Sequence, residues 1–307
     1  MDLSTRGPGH PYEIAAMSIG ADETTAARPG RWVTVWRQPN FLLGAILTAL
    51  LVVIAAVSLV WTPYAVDAIA VVDRLQSPSA AHWLGTDLFG RDVLSRLMVG
   101  ARNSIVVGVV AVGIGLVFGV FLGAVAAARG GWIDEIIMRG SDVVFAFPAI
   151  ISALLITALI GPGAVNAIIA IGIFNVPVFA RVTRGAARQV WAFEYTRAGL
   201  AIGKGPFAVT RDHVLPNVAS VLIVQATIAF AIAILAEATL AYLGLGTQPP
   251  APSWGRMLFE AQTLMTIEPR LAIFPGVAIV LAVLGLNLLG DGLRDALDPR
   301  LRDWRAE

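Results

Sequence analysis

The side chains best suited to chemistry in this sequence are three histidines (His10, His82 and His213), the single lysine Lys204, and two acids within or beside apolar runs, Asp142 and Glu237. The histidines are far apart, and neither H-E-x-x-H nor G-x-S-x-G occurs, so no hydrolase centre is expected. Lys204 follows Gly203, but Ala198 occupies the first glycine position of a phosphate-binding loop and Gly205 replaces its Ser/Thr. The chain is therefore not expected to be an enzyme or to hydrolyse ATP, and uphill transport would draw its energy from elsewhere. An ionisable group at membrane depth is costly and usually faces a polar cavity or partner. Asp142 is expected near the start of an apolar run, as an interfacial helix-start acid or a substrate-path residue. Glu237, about one and a half turns before the end of another run, suits either a hydrogen bond in a bundle or a place along a substrate path. A proton-coupled carrier would carry several such acids.

The elements that position these groups are apolar. Of the 307 residues 57% are hydrophobic and 14% charged, with mean hydropathy +0.76. A soluble chain would carry roughly a quarter charged residues. Net charge is +1, which gives no electrostatic case for nucleic acid, and the absence of cysteine excludes disulfides and Cys-based metal sites. Crossing ~30 Å of hydrocarbon takes about 20 apolar residues. Six segments are predicted to do so: Phe41–Trp61, Ile105–Ala128, Val143–Ile160, Ala164–Ala180, Val218–Tyr242 and Leu271–Leu289. Gly161-Pro162-Gly163 makes a hairpin of the third and fourth, and the fourth is short and carries Asn175 and Pro177. Gly115, Gly119 and Gly123 fall four apart, a spacing that lets helix backbones approach closely.

With the N-terminus inside, 16 of the 22 basic residues fall on the cytoplasmic side, Arg181, Arg184, Arg188, Arg197, Lys204 and Arg211 among them. The outer side holds Arg74, Arg91, Arg96, Arg102, Arg256 and Arg270. The expected division is a disordered cytoplasmic tail over 1–40, a transmembrane domain over 41–293 with an outer loop at 63–102 and a cytoplasmic loop at 181–217, and a cytoplasmic tail over 294–307. The first apolar run is a full span and is read as a retained anchor.

One cytoplasmic stretch, EYTRAGLAIGKGPFAVTRDHVLPN at residues 194–217, is polar, basic and punctuated by glycine. Trp191–Leu200 alternates as a short amphipathic helix would. Gly203 and Gly205 lie where a left-handed helix cap is needed, Pro206 suits the first position of a second helical turn, and Pro216 marks the start of the next span. A compact docking knob and a loop lying at the lipid headgroups both fit this pattern.

The stretch resembles the EAA loop of prokaryotic ABC-importer permeases, E-A-A-x3-G-x9-I-x-L-P. The match runs through Arg197, Ala198, Gly199, Gly203, His213, Leu215 and Pro216, with Arg197 for Glu, Gly199 for Ala and His213 for Ile. Arg and His at those positions are similar to the peptide-permease branch. HWLGTDLFGRDVLSRLMVGAR (82–102), AEATLAYLGLGTQPPAPSWGRML (236–258) and LGDGLRDALDPRLR (289–302) resemble segments of the C-type subunit of dipeptide and oligopeptide permeases. The likeness covers roughly residues 35–302.

The resemblance implies an all-α membrane protein, a six-span permease subunit of an ATP-driven importer of short peptides in the prokaryotic inner membrane. It implies pairing with a related permease and with two ATPase subunits, which bind ATP and Mg; this chain would hold no cofactor or metal. An extracytoplasmic binding protein would deliver the cargo, and lipid would surround the spans. The loop would be the coupling helix, with Arg197, Ala198, Gly199, Leu200, Gly203, His213, Leu215 and Pro216 serving the ATPase contact. Other cargoes fit the same family (a metal chelate, haem or a glutathione-like solute), and a free-standing carrier is the alternative from another class.

Overall fold

The computed structural model describes residues 38–297; the expected disordered tail, but for its last three residues, and residues 298–307 lie outside the described residues. The chain forms helices α1 (Pro39–Val60), α2 (Val93–Arg129), α3 (Gly131–Phe145), α4 (Ala149–Ile160), α5 (Ala164–Trp191), α6 (Glu194–Ala201), α7 (Pro206–Val209), α8 (Leu215–Tyr242), α9 (Trp254–Ala261) and α10 (Arg270–Leu297). There is no strand among the described residues. Five helices are long and apolar enough to cross a membrane, and there are six such spans if a bent pair counts as one. One end of the bundle carries α6 and α7 and is called the knob end. Residues 62–92 and 243–269 close the opposite, cap end.

Three spans differ from expectation. The third is broken: α3 and α4 meet at 81°. Pro148 has no N–H to donate and disfavours helix at the residue before it, so the ladder ends at Phe145. The second helix begins twelve residues before Ile105, and its polar first turns are buried against the cap; Arg96 is 3% exposed. Asp92 starts it, accepting from the Ser95 N–H at 2.8 Å. The fourth does not stop at Ala180 but runs on to Trp191, continuing through Pro177. A membrane helix tolerates an internal proline where neighbours surround it.

The most extensive contact is α2 against α5. A methyl group on Gly115, Gly119 or Gly123 would overlap Asn175, Val176 or Ala180 of α5, so the glycine stripe sets the approach of these two helices. α8 fills the angle between them, and Val107, Ala111, Ala170, Phe179, Ala233 and Leu240 form this core. A second core joins α1, α2, α8, α9 and α10 around Leu51, Val93, Ile234, Trp254 and Leu286. The Trp254 indole N–H donates to the Leu97 carbonyl at 3.0 Å, pinning the cap to α2.

Candidate functional site

The 194–217 stretch folds as a closed projection. α5 ends at Trp191, and α6 starts only at Glu194 after a tight turn, later than the expected helix from Trp191. The buried Thr196 hydroxyl locks that turn by donating to the Phe193 carbonyl at 2.6 Å. α6 closes at Gly203, whose φ is +91°. The Gly203 N–H donates to the Leu200 carbonyl at 3.0 Å and the Lys204 N–H to the Gly199 carbonyl at 3.1 Å. This paired pattern is the Schellman cap, which requires a left-handed residue and therefore favours glycine. Pro206 then occupies the first turn of α7. Thr210–Val214 is one turn of π-helix leading into Leu215 and Pro216 at the start of α8. Pro216 falls in the first turn of α8, where its missing N–H costs least.

The projection has its own small core, in which Ala187 and Val190 of α5 meet Val214 and Val218. Val209 is fully buried, and Gly199 packs inward against it. Arg197, Ala198 and Leu200 face outward, and His213 is half-buried, its ring edge-on to Tyr195 at 6.0 Å between centroids. Ile202 and Phe207 are each 77% exposed. Sequence reasoning missed these two; an apolar residue on each side of a glycine-lysine-glycine turn was the available signal. The result is a closed knob with an apolar tip and a basic flank, the kind of exposed patch that marks a protein or membrane contact.

The knob stands on an ion-paired base. Asp134 of α3 is 7% exposed and accepts from both Arg184, at 2.7 Å to one guanidinium nitrogen, and Arg188, at 2.6 Å. These arginines lie four apart on the part of α5 that the hydropathy reading cut off. Asp134 was likewise missed; its signal was the Arg184/Arg188 spacing, legible only if the helix continues. Asp142 pairs with Arg181, whose guanidinium carbon lies 4.3 Å from the Phe145 ring centroid. It therefore belongs to the last turn of α3, before the break, and not to the start of a straight span as expected. Both partners are well exposed, so the pair contributes little stability by itself.

Glu237 lies in the bundle near the cap end and is 0% exposed. The Ser104 hydroxyl approaches one carboxyl oxygen at 3.5 Å and the Thr247 hydroxyl the other at 3.4 Å. It joins α2, α8 and the 243–253 loop. Glu237 and Asp142 are thus at opposite ends and form no common site. Above Glu237, Asp87 accepts from Arg91 at 2.7 Å and Arg96 at 2.6 Å, while Glu260 accepts from Arg91 and Arg96, both at 2.8 Å, and from Arg256 at 3.2 Å. Burial opposes the Glu260 charge most, yet Arg96, Arg91 and Arg256 together hold its carboxyl below the usual range. This network ties the two cap segments to each other and to α2. Among the described residues, no group of three or more His, Asp and Glu could hold a metal ion.

Residues 115–303 match the sequence profile of the "Binding-protein-dependent transport system inner membrane component" family. The "Glutathione transport system permease protein GsiD" of Pectobacterium atrosepticum is 42% identical over 272 residues, 88% of this chain and 90% of that protein. The "Dipeptide transport system permease protein DppC" of Alkalihalophilus pseudofirmus is 42% identical over 283 residues, 92% and 93% of the two chains. Among solved structures, a chain of the MetNI methionine ABC transporter in an inward-facing conformation superposes with TM-score 0.53 at 18% identity, over 66% of this chain and 96% of that one, a likeness of fold. The long apolar helices, the family profile and these relatives agree, and the chain belongs to the binding-protein-dependent transport system inner membrane components, the permease subunits of ABC importers.

Proposed function

We propose that this permease subunit carries short peptides and that its 194–217 knob couples the pathway to ATP hydrolysis on separate subunits. The cargo reading rests on the two relatives, one named for dipeptides and one for glutathione, itself a small peptide. The subunit pairs with a related permease. Two ATPase subunits, which bind ATP and Mg, dock on the knob, and an extracytoplasmic binding protein delivers peptide to the cap end. Both termini lie in the cytoplasm, a reading that the excess of arginine supports.

The observation that carries the coupling assignment is the Schellman-capped α6 with Leu200, Ile202 and Phe207 exposed at its tip. A stiff docked element transmits ATPase closure as a rigid-body movement; a loop free to deform would absorb it. Arg197, Ala198 and Leu200 form the outward face of α6. Gly199, Gly203 and His213 shape and close the knob, and Leu215 and Pro216 join it to α8.

Gly203→Val tests this. A β-branched residue at φ +91° is strongly disfavoured, so the cap must open and displace the tip. The subunit should insert and pair with its partner permease, while stimulated ATP hydrolysis and peptide uptake fall together in the same proteoliposomes. Ala201→Val, inside α6 and needing no unusual φ, should be milder. Full uptake and full stimulation with Gly203→Val would remove the knob from the coupling mechanism.

A further inference from the structure

Between α4, α5 and α8 runs a groove of about 190 Å³ whose wall is apolar except for two amides, Asn175 and Gln225. Both are half-buried and lie well inside their helices: Asn175 is eleven residues from the start of α5, and Gln225 ten from the start of α8, roughly 15 Å along each axis. No charged side chain lines the groove.

The two amides are poorly satisfied by the chain itself. Asn175 Nδ2 donates to the Ile171 carbonyl of its own helix at 3.0 Å, and no partner of its Oδ1 occurs among the described residues. Gln225 has no side-chain hydrogen bond among the described residues. A polar group at membrane depth that faced lipid would forfeit its hydrogen bonds, so such groups turn toward a cavity or a partner. Asn175 is also held firmly: its Cβ fills the space that Gly115 leaves on α2. The close α2–α5 approach therefore holds the Asn175 backbone and Cβ in place, and its side chain lines the groove.

We propose that Asn175 and Gln225 form a peptide-backbone binding site on the wall of the transport pathway. An amide offers both a donor and an acceptor, complementary to the N–H and C=O of a passing peptide unit. Two neutral amides on an apolar wall hold the backbone while making no charge-based choice among cargo side chains. This inference rests on the proposed peptide cargo and names residues that would meet it.

The test uses the complete transporter in proteoliposomes, with its partner permease, ATPases and binding protein. The probes are trialanine and an N-methylated trialanine lacking one backbone donor. Gln225→Leu and Asn175→Ala keep the apolar helix faces intact, and their assembly is checked by recovery of the complete complex. Each should raise the trialanine KM about tenfold, the worth of one net hydrogen bond, and should narrow the wild-type preference for trialanine over its N-methylated form. Gln225→Asn should restore part of it. Because the chain lacks cysteine, Gln225→Cys can be tested separately for reaction with a water-soluble methanethiosulfonate, against the fully buried Ala233→Cys. Reaction is expected at 225 in one ATPase state, with protection by trialanine. If Gln225→Cys is unreactive in every state, a partner helix covers the groove and the inference is wrong. Unchanged KM and unchanged preference in both amide variants would also overturn it. A wild-type transporter that imports no peptide would overturn the cargo reading; reactive Gln225→Cys would still leave the amides on the pathway wall.

Discussion

At the scale of single residues, Glu237 is the sharpest case. A carboxyl that is 0% exposed must be satisfied by its neighbours, and the Ser253, Thr247 and Ser104 hydroxyls are the ones that reach it. That placement fits a hydrogen bond between α2, α8 and the cap loop, one of the two readings the sequence left open. Glu237→Gln keeps shape and hydrogen-bonding capacity. Glu237→Leu leaves these hydroxyls without their partner, at a cost of about 1–3 kcal/mol. Thermal stability of the assembled transporter and uptake at matched protein levels should therefore be close to wild type for Gln and reduced for Leu. Equal behaviour of the two variants would rule out the hydrogen bond as the reason for the acid. The residue type was readable because an acid in an apolar run is rare. Its partners were not, since Ser104 is 133 positions away and Thr247 and Ser253 lie in the cap loop, so that all three meet it only once α2 and the cap have packed.

At the scale of elements, local signals were legible and tertiary ones were not. Gly203 closes α6 where the spacing required a left-handed residue, because a helix cap is decided within about six residues. Apolar length found α1, α8 and α10 for the same reason: transfer to lipid depends on the segment itself. The polar start of α2 and the tail of α5 escaped that reading. They are charged, and are held in place where Arg96 meets Asp87 and Glu260 and where Arg184 and Arg188 meet Asp134, contacts made only in the packed chain. The α3–α4 break was also missed, although Pro148 was its local marker. Within α6, Gly199 is the soft point: a Cβ there would meet Val209 Cγ2 at 3.4 Å, an ordinary contact. Gly199→Ala should thus fit and favour the helix by about 0.5–1 kcal/mol. Hydrogen exchange of the α6 amides in the assembled transporter should slow by about two- to fivefold. Faster exchange would mean that the alanine strains the Val209 contact.

At the scale of the whole molecule, the two ends of the bundle differ in chemistry. The knob end carries Arg181, Arg184, Arg188, Arg197, Lys204 and Arg211 against three acids that pair with some of them, Asp134, Asp142 and Asp212. The cap end is more nearly balanced: Arg91, Arg96 and Arg256 meet Asp87 and Glu260, and Arg270 meets Glu268. Insertion retains arginine and lysine on the cytoplasmic side, whereas acids count little. Unpaired or exposed basic charge at the knob end thus predicts a cytoplasmic knob and an external cap, the arrangement the coupling proposal needs. Ser79 and Lys204 are suitable reporters. Ser79 is exposed on the cap, and Lys204 holds only a surface pair with Asp212 at 3.3 Å, so replacing either should leave the fold intact. In intact cells, Ser79→Cys should react with an impermeant thiol reagent and Lys204→Cys should not. Permeabilisation should expose position 204. External reaction at 204 with none at 79 would invert the molecule, put the knob on the side away from any ATPase, and end its assignment as the coupling element.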